Sequence, residues 1–327
     1  MIARRSLLAA PLAAAGLPEA RAQGAFPNRP VTLVAPFSAG GASDIAARTF
    51  AAHAPRHLGQ PVVVENRTGA SGAIGTGHVA RARPDGYTML MARIASSAVL
   101  PALDPRAPYA WDEFTMLGLL DENPYVICVR ADAPWRTLAD LTGAIRAARG
   151  TLNFSTSGPT TILDLGVRHL LGIAGLPLDA ATAIPFRGGG EALTALLGGQ
   201  AQFLGNNLAD MAGALESRSV RALVISTRDR FPLFPEIPTA REAGVPALEQ
   251  IVGWNALFGP PGLPAEISAT WLRVLGALAR DEEGWLATTR RLGSVPRVLG
   301  PEETRAYVRD QVALYTELGR RLGLRPA

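Results

Sequence analysis

Val31-Thr32-Leu33-Val34-Ala35-Pro36-Phe37-Ser38-Ala39-Gly40-Gly41-Ala42-Ser43-Asp44 decides the fold class. Val31 to Ala35 is a short β-branched apolar run ending at Pro36 and reads as a buried strand. Ser38 to Ser43 is small and flexible, and Ile45, Ala46, Thr49, Phe50 and His53 then recur at helical spacing. Downstream, Val62-Val63-Val64 is a second strand, Ala73 to Ala82 a second helix, and Thr88 to Ala92 a third strand after the Pro84-Asp85-Gly86 turn. Strand, helix, strand, helix, strand predicts a parallel sheet with helices on its faces.

A second set begins at Val126-Ile127-Cys128-Val129. Helices are predicted at 138–148, 162–174 and 192–197, and strands at 152–154, 183–186, 201–204 and 222–226. The tail carries two more helices, at about 266–279 and 302–322. The chain therefore reads as two α/β units, with the tail helices free to return to the first.

Composition narrows the chemistry. The 327 residues are 48% hydrophobic and 18% charged, an ordinary globular balance. All 32 basic residues are Arg, which excludes a P-loop phosphate lysine, a Schiff-base lysine and a Ser–Lys dyad. The single cysteine, Cys128, excludes an intramolecular disulfide and a four-Cys zinc site. It reads as a buried small apolar residue. His53, His57, His78 and His169 lack HExxH spacing, and no metal or cofactor is expected.

The formal charge of +4 and a pI near 9.8 suggest a polyanion partner at first sight. Residues 1–22 change that reading. Arg4-Arg5 precede an apolar stretch from Leu7 to Gly16, and Ala20-Arg21-Ala22 offers a cleavage site, so a signal peptide is expected. Arg4-Arg5-Ser6-Leu7-Leu8 fits either a Sec or a twin-arginine signal. Cleavage after Ala22 leaves 29 Arg against 27 acidic residues, +2, with the arginines scattered. Nucleic acid is not expected as a partner, and the mature chain is expected to be soluble and exported.

Two loops could carry chemistry. Phe37, Ser38, Ala39, Gly40, Gly41, Ala42, Ser43 and Asp44 lead from a strand into a helix start. Unpaired backbone N–H groups and the helix dipole favour a carboxylate or phosphate there, while the alternative is a plain turn capped by Ser43. Ser155, Thr156, Ser157, Gly158, Pro159, Thr160 and Thr161 form the second loop, dense in hydroxyls that can donate to an anion. Thr161 and Asp164 alternatively stand at capping-box spacing. Facing each other across a cleft, the loops could hold a dicarboxylate at both ends without any Lys.

Other candidates are plainer. Asp44, Asp85 and Asp164 could act as acids or bases, but each sits beside turn or helix-start signals. Arg67, Arg93 and Arg187 follow strand-like runs and could pair with an anion. Trp254 and Phe258 read as core. GxSxG is absent, so no nucleophile elbow is expected.

Further motifs stand in order along the chain: Gly59-Gln60-Pro61 before Val62, Glu65-Asn66-Arg67, Pro84-Asp85-Gly86-Tyr87-Thr88, and Pro185-Phe186-Arg187-Gly188-Gly189. Leu196-Leu197-Gly198-Gly199-Gln200, Pro235-Glu236-Ile237-Pro238-Thr239, Glu242-Ala243-Gly244-Val245-Pro246 and Pro260-Pro261-Gly262-Leu263-Pro264 follow. With Pro30 to Phe37, Gly40 to Asp44 and Arg48, this set resembles the substrate-binding proteins of tripartite tricarboxylate transporters, the Bug family, over about residues 30–315.

The resemblance implies an α/β, two-lobe periplasmic binding protein fold of type II-like form, each lobe a mostly parallel sheet flanked by helices. Lobe one would be 24–124 with 251–327, and lobe two 125–250. It implies a monomeric receptor, not an enzyme, that captures a small carboxylate and delivers it to the membrane subunits of the transporter. The ligand would be gripped by Phe37 to Asp44 and Ser155 to Thr161, with Arg93, Asp164, Arg187 and Asn206 near it. The sequence departs from the family at Pro159-Thr160, where another Gly is usual, at Asp164, where His is common, and at Asn206, where Asp is common. If Asp164 faces the cleft, it disfavours a second ligand carboxylate, and that end of the ligand is neutral, hydroxylated or cationic; otherwise it caps its helix. Two other readings stay open: an exported hydrolase using Ser38, Ser155 or Ser157, and a ligand sensor for a membrane signalling protein.

Overall fold

A computed structural model describes residues 26–324. The expected signal peptide, residues 1–22, lies outside them. In chain order the first half contains β1 (Val31–Ala35), α1 (Ala42–His53), α2 (Pro55–Leu58), β2 (Val62–Asn66), α3 (Ala73–Ala80), β3 (Thr88–Arg93), α4 (Leu100–Leu103) and β4 (Thr115–Arg130). Then come α5 (Leu138–Ala148), β5 (Asn153–Thr156), α6 (Ile162–Ile173), β6 (Thr182–Pro185), α7 (Gly189–Leu197), β7 (Phe203–Asn207), α8 (Leu208–Glu216) and β8 (Val220–Ile225). The chain ends with β9 (Val252–Gly259), α9 (Ala265–Leu278), α10 (Ala287–Arg291), β10 (Val295–Pro296) and α11 (Pro301–Arg321).

The strands form two sheets that share β4. In the first, β1 pairs in parallel with β2 and β3, and β9 then runs antiparallel between β3 and the first part of β4. In the second, β5 pairs in parallel with β6 and β7, and the second part of β4 runs antiparallel to β7 and β8. Each sheet is thus parallel over three strands and mixed where β4 crosses. The sequence reading missed β9 and the first part of β4. Both carry polar residues (Asp121, Asn123, Asn255) that look like turn signals until their partners across the sheet are seen.

Side-chain alternation explains the layers. Val31, Leu33 and Ala35 point to one face of the first sheet and pack with Phe50, Trp271 and Leu278 of α1 and α9. Val34 points to the other face, into a core that continues through Tyr125, Ile127 and Val129 of β4 to Phe154 and Phe203 of the second sheet. Val126 and Cys128 face oppositely, toward Leu204, Leu208 and Met211. Each such large side chain stabilises the fold by about 1.5–3 kcal/mol through burial. Trp254 and Phe258 are buried in this core as expected, and burial pushes the Cys128 thiol far above its usual range.

Candidate functional site

The first loop is tied down from its own side. Gly40 N–H donates to Asp44 Oδ2 at 3.0 Å, Arg48 Nε donates to the same oxygen at 2.9 Å, and Asn66 Nδ2 donates to Asp44 Oδ1 at 3.0 Å. Asn66 Nδ2 also reaches Phe37 O at 3.0 Å. Burial pushes the Asp44 carboxyl up, but the hydrogen bonds from Arg48, Gly40 and Asn66 outweigh it and hold the group below the usual carboxylate range. Gly41, not Ser43, is the N-cap of α1. The buried Ser43 hydroxyl makes no hydrogen bond to protein, which corrects the capping role expected for it.

Most hydroxyls of the second loop turn inward. Ser155 Oγ donates to Ala192 O at 2.8 Å, Ser157 Oγ to Thr161 Oγ1 at 3.1 Å, and Thr161 Oγ1 to Gly158 O at 2.9 Å. The capping box is not formed: Thr161 is the N-cap of α6 but its side chain accepts nothing there. Asp164 is buried and gripped by Arg168, one turn later, at 2.5 and 3.3 Å. Burial raises its carboxyl and Arg168 opposes the rise. Asp164 lines none of the cleft cavities described below, so the reason given for it to repel a ligand carboxylate does not hold.

The two loops do meet other segments across the seam between the sheets. Ser38 N–H donates to Arg187 O at 3.4 Å. A methyl group added at Gly188 would strike Ser38 Oγ, and one at Gly190 would come within 3.1 Å of Ala39 O and Gly40 C. At Gly188 the added carbon would also lie 2.9 Å from Ser38 N, so that position requires glycine, whereas Gly190 is tight. Gly158 similarly faces Ser71, its added carbon 2.6 Å from Ser71 Oγ. Ala70 and Ser71 both hold left-handed φ angles, 48° and 53°, at this contact. Such strain in non-glycine residues concentrates at binding sites. Gly188 and Gly189 stood in a quoted motif but were not named as site residues, and Gly190, Ser71, Asn207 and Asp210 were not picked out from sequence. The glycine run was the available signal for the three glycines.

Three cavities lie along the seam. The outer one, about 720 Å³, is lined by Ser71, Ile74, Arg81, Arg106, Gly158, Thr160 and Phe186 among others. A neighbour of about 360 Å³ is bounded by Phe37, Ser71, Ser157, Phe186 and Arg187. The innermost, about 20 Å³, is bounded by Phe37, Gly41, Ala42, Ser43, Arg93, Ser157, Asn207 and Asp210. Of the expected site residues, Phe37, Gly41, Ala42, Arg93, Ser157, Gly158, Thr160 and Arg187 thus border cavities. Ser38, Ala39 and Gly40 touch the opposing glycine run instead. Ser155, Thr161, Asp164 and Asn206 lie beneath, with Asn206 Nδ2 donating to Gly189 O at 3.2 Å.

The inner end is charged and buried. Arg93 is buried; Nη1 donates to Asn255 Oδ1 at 3.0 Å, while Nη2 bonds to no protein atom. Asp121 accepts from Asn255 and Asn123, and Asp210 from Asn207 Nδ2 at 3.2 Å. Burial pushes both carboxyls up to about 6, against the pull of the Arg93 charge and of these amides.

Other expected residues are elsewhere. Arg67 pairs with Glu65 at 2.8 Å, and Asp85 holds its turn by accepting from Tyr87 N–H at 3.1 Å. None of the Ser38, Ser155 and Ser157 hydroxyls hydrogen-bonds a His, Asp or Glu. Among the described residues no His, Cys, Asp and Glu group could hold a metal ion, and no helix is long and apolar enough to cross a membrane.

Two sheets joined through a crossing strand, with glycine-rich loops closing on a polar seam, define a two-lobe solute-binding receptor. The family model "Tripartite tricarboxylate transporter family receptor" matches residues 46–274, and the chain belongs to that family. It is 30% identical to Protein BugT of Bordetella pertussis over 95% of each chain. MatC from Rhodopseudomonas palustris with bound malate superimposes with a TM-score of 0.83 at 31% identity, covering 90% of this chain and 99% of that one. Rpa4515 of R. palustris with adipate gives 0.86 at 29% identity, covering 92% and 100%.

Proposed function

We propose that this chain is a non-catalytic periplasmic receptor that closes on a small carboxylate and hands it to the membrane subunits of a tripartite tricarboxylate-type transporter. The observation that carries this reading is the meeting of Phe37 to Gly41 with Arg187 to Gly190, and of Ser71 with Gly158, around a row of polar cavities. Malate in one neighbour and adipate in another support a carboxylate as the ligand class. The lobes divide at 24–124 with 251–327 and at 125–250. That division is supported by β4 leaving the first sheet at Pro124 and by β9 re-entering it opposite Pro124 at Val252. The receptor acts as a monomer, and ligand contacts made only in the closed form supply the free energy of closure. A Sec or twin-arginine signal exports it. Its arginines are dispersed and many are paired locally with acids, which gives no stripe for a nucleic acid.

A thermal-shift screen of the mature chain over mono-, di- and tricarboxylates, aromatic acids and amino acids tests the reading. At least one carboxylate is expected to raise the melting temperature saturably. If no member of the set does so, the receptor assignment fails.

A further inference from the structure

The innermost cavity contains opposite charges that do not meet. Arg93 reaches it from β3 and Asp210 from α8, on the other side of the seam. Each feels the other's charge, and the backbone N–H groups of Ala42 and Asn207 lie toward the Asp210 carboxylate, yet neither Arg93 Nη2 nor Asp210 Oδ1 has a well-aligned hydrogen bond to protein, and both are buried. The Ser43 hydroxyl and Asn207 Oδ1, on the same cavity, are equally unpartnered. α8 supplies Asp210 with no cation of its own, because Ala214 stands one turn later. Arg93 meanwhile is shared with Asp121, so two carboxylates face one guanidinium.

Buried polar atoms cost free energy unless a partner satisfies them. The donors here, Arg93 Nη2 and Ser43 Oγ, suit a carboxylate oxygen. The acceptors, Asp210 Oδ1 and Asn207 Oδ1, require a donor beside that carboxylate. An unsubstituted carboxylate would satisfy the first pair and leave Asp210 against like charge. We infer that the cleft selects a carboxylate carrying a hydrogen-bond donor, an ammonium or a hydroxyl, on the carbon next to the carboxylate. This rests on the carboxylate-receptor reading above. A space of about 20 Å³ accommodates one water-sized group. The ligand head therefore enters from the adjoining 360 Å³ cavity, which shares Phe37 and Ser157, as the seam parts.

Titration calorimetry of the mature chain with two matched sets decides it: L-aspartate, L-malate and succinate, then L-glutamate, L-2-hydroxyglutarate and glutarate. In at least one set the amino or hydroxy acid should bind at least about tenfold tighter than the unsubstituted acid, as a charge-assisted hydrogen bond implies. Whichever of the two is tighter identifies the donor. Asp210→Asn should shrink that preference at least about tenfold, chiefly by strengthening the unsubstituted acid, and circular dichroism should show the variant folded. Asp210→Ser serves if Asp210→Asn does not fold. Equal affinities within both sets, or a preference untouched in the folded variant, would overturn the inference alone. Absence of binding across both sets and across the wider acid screen would overturn the receptor reading and this inference with it.

Discussion

Three helices of this protein begin alike and end up differently. α1, α6 and α8 each follow a strand, and each carries a buried Asp as its third residue: Asp44, Asp164 and Asp210. One turn later stand Arg48, Arg168 and Ala214. Spacing of four residues puts two side chains on the same helix face, so Asp44 and Asp164 are neutralised within their own helices. Asp210 is not, and its charge is left to Arg93 across the seam. Asp44 holds its loop in place and Asp164 is bound to Arg168, whereas the third points into the cavity. A local partner makes a buried acid structural; its absence leaves the acid for something that arrives from outside the helix.

The strongest way to break the contrast is to remove the Asp164 partner. Arg168→Ala would leave a carboxylate that is 1% exposed with no cation. Removing one member of a buried pair costs about 3–5 kcal/mol. Because Arg168 is itself partly exposed, water reaches the pair and the expected loss is about 3 kcal/mol. Urea unfolding measures it. A loss below about 1 kcal/mol would mean that Asp164 is protonated in the folded protein and never needed Arg168.

That same spacing shows what a reader of the sequence can and cannot see. Asp164 and Arg168 were legible as an i,i+4 pair, yet the stretch drew attention as a capping box because Thr161 and Asp164 also fit that pattern. Both patterns are local, and only the packing of α6 decides between them. Short β-branched apolar runs correctly located β1, β2, β3 and the second part of β4, because β1, β3 and that part of β4 are buried on both faces. It failed at Asp121, Glu122, Asn123 and Pro124, which continue β4. The Asp121 and Glu122 carboxylates are matched by Asn255, Arg297 and Tyr307, more than 100 residues away in sequence. The first loop was legible from its glycines and its helix start. Gly188 to Gly190 and Asp210 were not, because their role exists only once the second sheet faces the first.

A finer test asks what the acid without a helical cation costs. The Asp210 carboxyl sits at about 6 in the folded protein, against 3.8 for an ordinary side chain. The folded state thus binds that proton more tightly than the unfolded chain, and the charged form is the destabilising one. The penalty is complete above about pH 7 and fades as the pH falls through 6 toward 4. Asp210→Asn is neutral throughout, so at pH 7.5 it should be more stable than the parent by about 1–2 kcal/mol. At pH 5 about half of the gap should remain, and below about pH 4 the two should converge. Asp121 titrates in the same range and shares Arg93, so the pH dependence of the difference reports the coupled pair, with the Asp210 charge removed from one side of it. A gap that does not change with pH, or a parent that is the more stable at pH 7.5, would show that Arg93 already compensates Asp210 fully.

The smallest effect belongs to Arg48→Ala. Its partner Asp44 is as buried as Asp210, but Gly40 N–H and Asn66 Nδ2 also hold that carboxylate. Arg48 is itself 58% exposed, so solvent screens its contribution. The expected loss is about 0.5–1 kcal/mol in urea unfolding. Ligand affinity should fall less than about threefold, because the amide network keeps the first loop in shape without the guanidinium. A larger fall in affinity with stability nearly intact would place Arg48 in contact with the ligand. It would also weaken the rule that an acid with a helical partner is structural, leaving Asp210 without its contrast.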